Sequence, residues 1–188
     1  MKTTLKKQGV FHMKKNTAVR KMIYSAIAAA LYTALTLAVA PLSYQAVQFR
    51  LSEVMVFLAF IDPWYIPGLT LGCFLANLMG PFGLVDAIGG GLATLFSVGM
   101  IAFTARWSRG GKKGSFPSLL AASLWPSISA LIIAFEIVFF TGAQESYWYW
   151  VVMVAIGEFG VVTVCGVPLM HWLYRKKPQL IELLKIQQ

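Results

Sequence analysis

Residues 51–80 read LSEVMVFLAFIDPWYIPGLTLGCFLANLMG, thirty mostly apolar residues interrupted at Asp62-Pro63-Trp64-Tyr65-Ile66-Pro67-Gly68. Proline removes a backbone donor and restricts the residue before it, so two prolines and a glycine within seven residues stop a helix. The stretch predicts two short helices, about 51–61 and 66–79, and not one bent span. That choice fixes the parity of the chain. Fifteen of the sixteen Lys and Arg fall in three clusters, before residue 22, within 106–113 and after Tyr174. Cationic loops stay on the cytoplasmic side of a membrane, and placing all three there requires an even number of crossings between residues 22 and 106. Two short spans, or one re-entrant hairpin, satisfy the requirement; a single span at 51–80 does not.

Of the 188 residues, 58% are hydrophobic and 12% charged, with a mean hydropathy of +0.69, against roughly 25% charged in a soluble domain. A soluble globule is excluded. The remaining uncharged runs, 22–40, 84–105, 117–140 and 148–174, are each near the ~20 residues a helix needs to cross ~30 Å of hydrocarbon. A basic leader followed by Ala38-Val39-Ala40 also fits a cleavable signal, but the run is long for one and Pro41 suits cleavage poorly. The expected fold is an all-α integral membrane protein of six transmembrane helices, both termini cytoplasmic, with short helices two and three. Residues 1–21 form a basic cytoplasmic segment, with Met13 a second candidate start. Residues 22–175 form the membrane domain, and 176–188 a cytoplasmic tail, mobile or interfacial after Pro178.

The formal charge of +9 could indicate nucleic acid, but the cations flank apolar runs and no groove-reading helix accompanies them. Cys73 and Cys165 lie in apolar runs and read as small hydrophobes; no disulfide framework or metal pair is present. Gly110-Gly111-Lys112-Lys113-Gly114-Ser115 lacks the spacing of a phosphate-binding loop, so no ATP hydrolysis is expected. Neither a catalytic triad nor a His/Asp ligand cluster is visible, which predicts a non-enzyme without metal or cofactor. Tyr147-Trp148-Tyr149-Trp150, Trp107 and Trp172 sit where interfacial aromatic belts belong.

Six polar side chains remain on or near the spans: Arg50, Glu53, Asn77, Asp86, Glu136 and Glu158. An ionisable group in hydrocarbon costs about 2.5–3.5 kcal/mol, so each should face a protein interior or a wet cavity. The expected topology puts all six at the outer half or the midplane, where they could line one outward-opening cavity. Four carboxylates against one guanidinium call for a guest rich in hydrogen-bond donors. The plainer alternative pairs Arg50 with Glu53, three residues apart on one face, and bonds Glu136 or Glu158 to a neighbouring Ser, Thr or Trp. Asn77 offers donors and acceptors suited to a heterocycle edge, or to a helix–helix bond. Gly89-Gly90-Gly91 reads first as close helix packing. Pro126 predicts a kink that turns Trp125 toward the cavity. On the first helix, Ala26, Ala30, Ala34 and Ala38 recur every four residues beside a second row, Ser25, Ala29 and Thr33. Small-residue rows let another helix approach closely, inside this protein or from a partner.

A six-helix protein with these features and no ATP site resembles the substrate-binding S components of energy-coupling-factor (ECF) transporters. Gln48-Phe49-Arg50-Leu51-Ser52-Glu53, Ile66-Pro67-Gly68-Leu69, Gly72-Cys73-Phe74-Leu75-Ala76-Asn77 and Asp86 with Gly91-Leu92-Ala93-Thr94-Leu95 are similar to the QueT family, carriers of queuosine precursors, over about residues 45–96. The resemblance implies capture of a 7-deazaguanine such as preQ1 or preQ0, with ATP-driven uptake through an ECF transmembrane coupling subunit and ATPase subunits in the bacterial cell membrane. Glu136 and Glu158 would accept the guanine-like N–H edge and the aminomethyl cation. Asn77 and Gln48 would meet the heterocycle, with Arg50, Glu53 and Asp86 beside them. Trp125 or Trp148 would supply a stacking plane, the loop 41–52 a lid, and Ala26, Ala30 and Ala34 the docking face. Two alternatives stand beside this one: an S component for another vitamin, and a proton-coupled secondary transporter, since intramembrane carboxylates also make proton relays.

Overall fold

In the computed structural model the described residues are 17–45, 47–108 and 114–186, and no strand occurs among them. The leader before residue 17, Met13 and the cations within 109–113 lie outside the described residues. The chain runs through α1 (Thr17–Ala38), a single turn α2 (Ala40–Ser43), a 3-10 segment Leu51–Phe57 that continues into α3 (Leu58–Ile61), a 3-10 turn Pro63–Tyr65, and α4 (Ile66–Leu78). Then follow α5 (Leu84–Trp107), α6 (Phe116–Phe140), α7 (Tyr147–Glu158), a π-helical stretch Phe159–Gly166, α8 (Val167–Lys176) and α9 (Pro178–Leu184). Among the described residues, four helices are long and apolar enough to cross a membrane: α1, α5, α6 and the run Tyr147–Lys176. The stretch Leu51–Ile61 is a shorter apolar helix, and α4 has 13 residues.

The break falls where the prolines place it. Asp62 is extended, with φ −146° and ψ 126°, and its carboxylate accepts the Trp64 N–H at 3.0 Å, starting the turn at Pro63. Pro67 sits in the first turn of α4, where its missing N–H leaves no bond unmade. The other Asp62 oxygen accepts the backbone N–H of Ile186 at 2.9 Å, and the Tyr65 hydroxyl donates to the Leu184 carbonyl at 3.0 Å. The segment after Pro178, expected to be mobile or interfacial, is therefore seated: Ile181 and Ile186 are buried in one core with Phe57, Phe60, Ile61 and Tyr65.

The two small-residue rows of α1 lie on different faces of the helix. Ser25, Ala29 and Thr33 pack on α4, where a Cβ on Gly72 would come 2.8 Å from the Ala29 carbonyl oxygen and Thr33 Oγ1 donates to the Gly72 carbonyl at 3.0 Å. Small residues on both helices let their backbones meet. Ala26, Ala30 and Ala34 face outward with Ile27, Leu31 and Leu35. The apolar window of α1 is 22% buried, against 44–56% for the other long helices. Behind α1 and α4, α5 packs on α4 and α6, and α6 on α7. Helix α6 stays continuous through Pro126.

Candidate functional site

After α2 the chain has no regular structure at residues 48–50, with Arg50 extended, then tightens into the 3-10 turns of Leu51–Phe57. The Arg50 carbonyl accepts the Glu53 N–H at 3.0 Å, which sets the two residues one turn apart at the start of the segment. This stretch is held at both ends. Arg50 Nε donates to the Ser43 carbonyl at 3.2 Å, its guanidinium lies 5.4 Å from the Tyr44 ring centre, and the Tyr44 hydroxyl donates to the Ala76 carbonyl at 2.6 Å. Across from it, Gly157 lets the Gln48 backbone approach; a Cβ there would sit 2.5 Å from the Gln48 carbonyl oxygen.

Around this segment the four carboxylates of the spans converge. Glu53 on the 3-10 segment, Asp86 on α5, Glu136 on α6 and Glu158 on α7 are each at most 5% exposed. Arg50 is the one buried Lys or Arg among the described residues, and it attracts all four electrostatically. Glu158 is repelled by Glu53, and Glu136 by Asp86. Residues 53, 86, 136 and 158 thus all lie within electrostatic reach of one guanidinium. Arg50 and Glu53 do not form the direct ion pair considered from the sequence: among the described residues, Glu53 accepts the Tyr32 hydroxyl while Arg50 bonds Ser43.

The glycine run serves these polar groups as well as packing. A Cβ on Gly89 would overlap the Glu136 carboxylate, and one on Gly90 the Asn77 amide nitrogen. Asn77 donates to the Asp86 carbonyl at 3.1 Å and approaches Cys73 Sγ at 3.5 Å. Its Oδ1 is buried without a partner, as are Gln48 Oε1, both oxygens of Glu136, Glu158 Oε2 and the indole nitrogen of Trp150. A buried polar atom left unbonded costs about 1–3 kcal/mol, more when charged. Five acceptor atoms against one donor, grouped around carboxylates, are complementary to a compact guest that presents N–H groups to several of them.

Two aromatic candidates lie outside this group. Trp125 is about 16 Å along α6 from Glu136 at 1.5 Å per residue; its indole donates to Thr104 Oγ1 at 2.9 Å and meets Phe96 edge-on, both on α5. Trp148 is 67% exposed, with its ring on Tyr147. The member of that aromatic run whose nitrogen is buried is Trp150, packed against Ala93, Ala130, Ile133, Ile137 and Val154. Tyr32 joins the cluster with one signal in the sequence, its place with Thr36 opposite the alanine row of α1. Ala26 lines a cavity of about 690 Å³ between the starts of α1 and α4, with Lys21, Trp64 and Pro67. Another, of about 400 Å³, lies between Ser115 and Arg175.

The family profile described as QueT transporter matches residues 22–175. A curated protein of Lactococcus lactis subsp. cremoris, the queuosine precursor transporter QueT, is 34% identical over 154 residues, covering 77% of this chain and 87% of that relative. No solved structure matches the chain.

Proposed function

Since the chain belongs to the QueT transporter family, we propose that it is the membrane subunit that captures a queuosine precursor, a 7-deazaguanine such as preQ1 or preQ0, for uptake. The observation that carries this reading is the set of five unpartnered buried acceptors beside one indole donor. A guanine-like edge presents adjacent N–H groups that one carboxylate accepts with two oxygens, and Glu136 has both oxygens unpartnered. The aminomethyl cation of preQ1 is matched by Glu158, with Asn77 and Gln48 at the heterocycle and the Trp150 nitrogen toward an acceptor. Arg50, Glu53 and Asp86 balance the charge around the guest.

In this reading the chain crosses a bacterial plasma membrane six times, the short helices at 51–61 and 66–78 counting as two crossings, with both termini in the cytoplasm. The carboxylate cluster then lies toward the outside, and the segment 41–52 opens to admit the guest. Energy comes from an ECF coupling subunit and its ATPases, and the outward row Ala26, Ala30 and Ala34 is the face that docks on it.

Titration of the purified chain with preQ1 in an isothermal calorimeter tests the assignment. Glu136→Gln and Glu158→Gln should each weaken binding about tenfold or more, since a hydrogen bond to a charged group contributes about 1.5–3 kcal/mol. Unchanged affinity in both variants would remove these residues from the site. The buried carboxylates also suit a proton-coupled carrier; uptake that survives loss of ATP but collapses with a protonophore would favour that second reading.

A further inference from the structure

Tyr32 is wholly buried in the middle of α1, and its hydroxyl donates to Glu53. One turn on, Thr36 Oγ1 and Ser52 Oγ share a hydrogen bond of 2.6 Å. The Thr36 carbonyl accepts the Ser43 hydroxyl at 3.1 Å, and the Ser43 carbonyl accepts from Arg50. These four links close a polar circuit from α1 to residues 50–53 and back. In a helix, residues four apart share a face, so Tyr32 and Thr36 make two consecutive rungs to the 3-10 segment. The outward face of α1, carrying Ala26, Ala30 and Ala34, lies on the other side of the same helix.

Less of α1 is buried than of the other long helices, and its close packing runs along one face, against α4. Where apolar burial gives no net drive between helices, as in lipid, interhelical hydrogen bonds and close packing set helix position. The rung at Glu53 ends on a carboxylate that also feels Arg50 and Glu158. A guest that changes the charge balance of the cluster therefore changes the group to which α1 is tied. On the reading of that cluster as the precursor site, we infer that Tyr32 is a positioning residue: through its bond to Glu53 it makes the position of α1, and of its outward face, depend on whether the cluster holds a guest.

The test uses a nitroxide label on Ala34→Cys in the full chain, with the exposed Cys165 replaced by Ser, read by electron paramagnetic resonance with and without preQ1. Binding is measured in parallel by equilibrium dialysis. The label should be held in the parent and shift in mobility when preQ1 binds. In Tyr32→Phe, which keeps the ring and removes the donor, the label should already be mobile without preQ1, and bound preQ1 should no longer change it. Glu53→Gln, which still accepts from Tyr32, should keep the label held, and guards against a Tyr32→Phe effect caused by misfolding. A Tyr32→Phe label that matches the parent in both states would overturn the inference, as would a parent label indifferent to bound preQ1. If preQ1 fails to bind the parent while Tyr32→Phe still frees the label, the tie stands and the precursor reading falls instead.

Discussion

Gly89 and Gly90 give the site its room at the scale of single residues. The Glu136 carboxylate and the Asn77 amide occupy the volume that side chains on α5 would fill. Gly90→Ala should therefore push Asn77 off the Asp86 carbonyl, and Gly89→Ala should displace Glu136. Overpacking of this kind costs about 1–3 kcal/mol. Equilibrium dialysis should then show preQ1 affinity reduced at least tenfold in each variant, and parent-like affinity in both would deny the glycines this role. The carboxylates themselves were legible in the sequence because a charge in an apolar run is costly enough to need a reason. Tyr32 and Trp150 were not. A tyrosine or tryptophan in a membrane helix raises no such alarm, and in the run 147–150 only the helical phase separates the buried Trp150 nitrogen from the exposed Trp148.

Among the elements, α1 shows two faces with opposite tolerance. Gly72→Leu should wedge α4 away from Ala29 and Tyr32 and lower the midpoint of thermal unfolding in detergent by several degrees. A midpoint within one degree of the parent would contradict the packing. Ala30→Trp, on the outward row, should leave that midpoint and preQ1 binding in place while abolishing uptake in cells; normal uptake would end the docking role. The break between the short helices at 51–61 and 66–78 could be read from its prolines, since their effect on backbone hydrogen bonding is local. The split between the two rows of α1 could not, because Ser25-Ala29-Thr33 and Ala26-Ala30-Ala34 are equally small and only the partner helix distinguishes them. Pro126 does not decide where Trp125 points, for a related reason. Its effect on Trp125 depends on Thr104 and Phe96 of α5, which supply a nearer partner than the cluster.

Over the whole molecule, Asp62 joins distant parts of the chain. It starts the turn before α4 and holds the backbone at Ile186, so Asp62→Ala should leave that N–H and the one at Trp64 without their carboxylate acceptor. Each loss is worth about 1–3 kcal/mol. Limited trypsin digestion should then cut at Arg175 or Lys176 well before it cuts the parent there, with the long spans still resistant. Equal rates of cleavage would show that Ile181 and Ile186 hold α9 without the carboxylate.

Asp62 and Ile186 are 124 residues apart. At about 5–20 residues per second of synthesis, Asp62 leaves the ribosome about 6–25 s before its partner. During that interval the Asp62 carboxylate lacks the Ile186 N–H, and the unfinished fold is open to quality-control proteases. Slow translation of the distal half should therefore lower the yield of this protein even when every codon is eventually read.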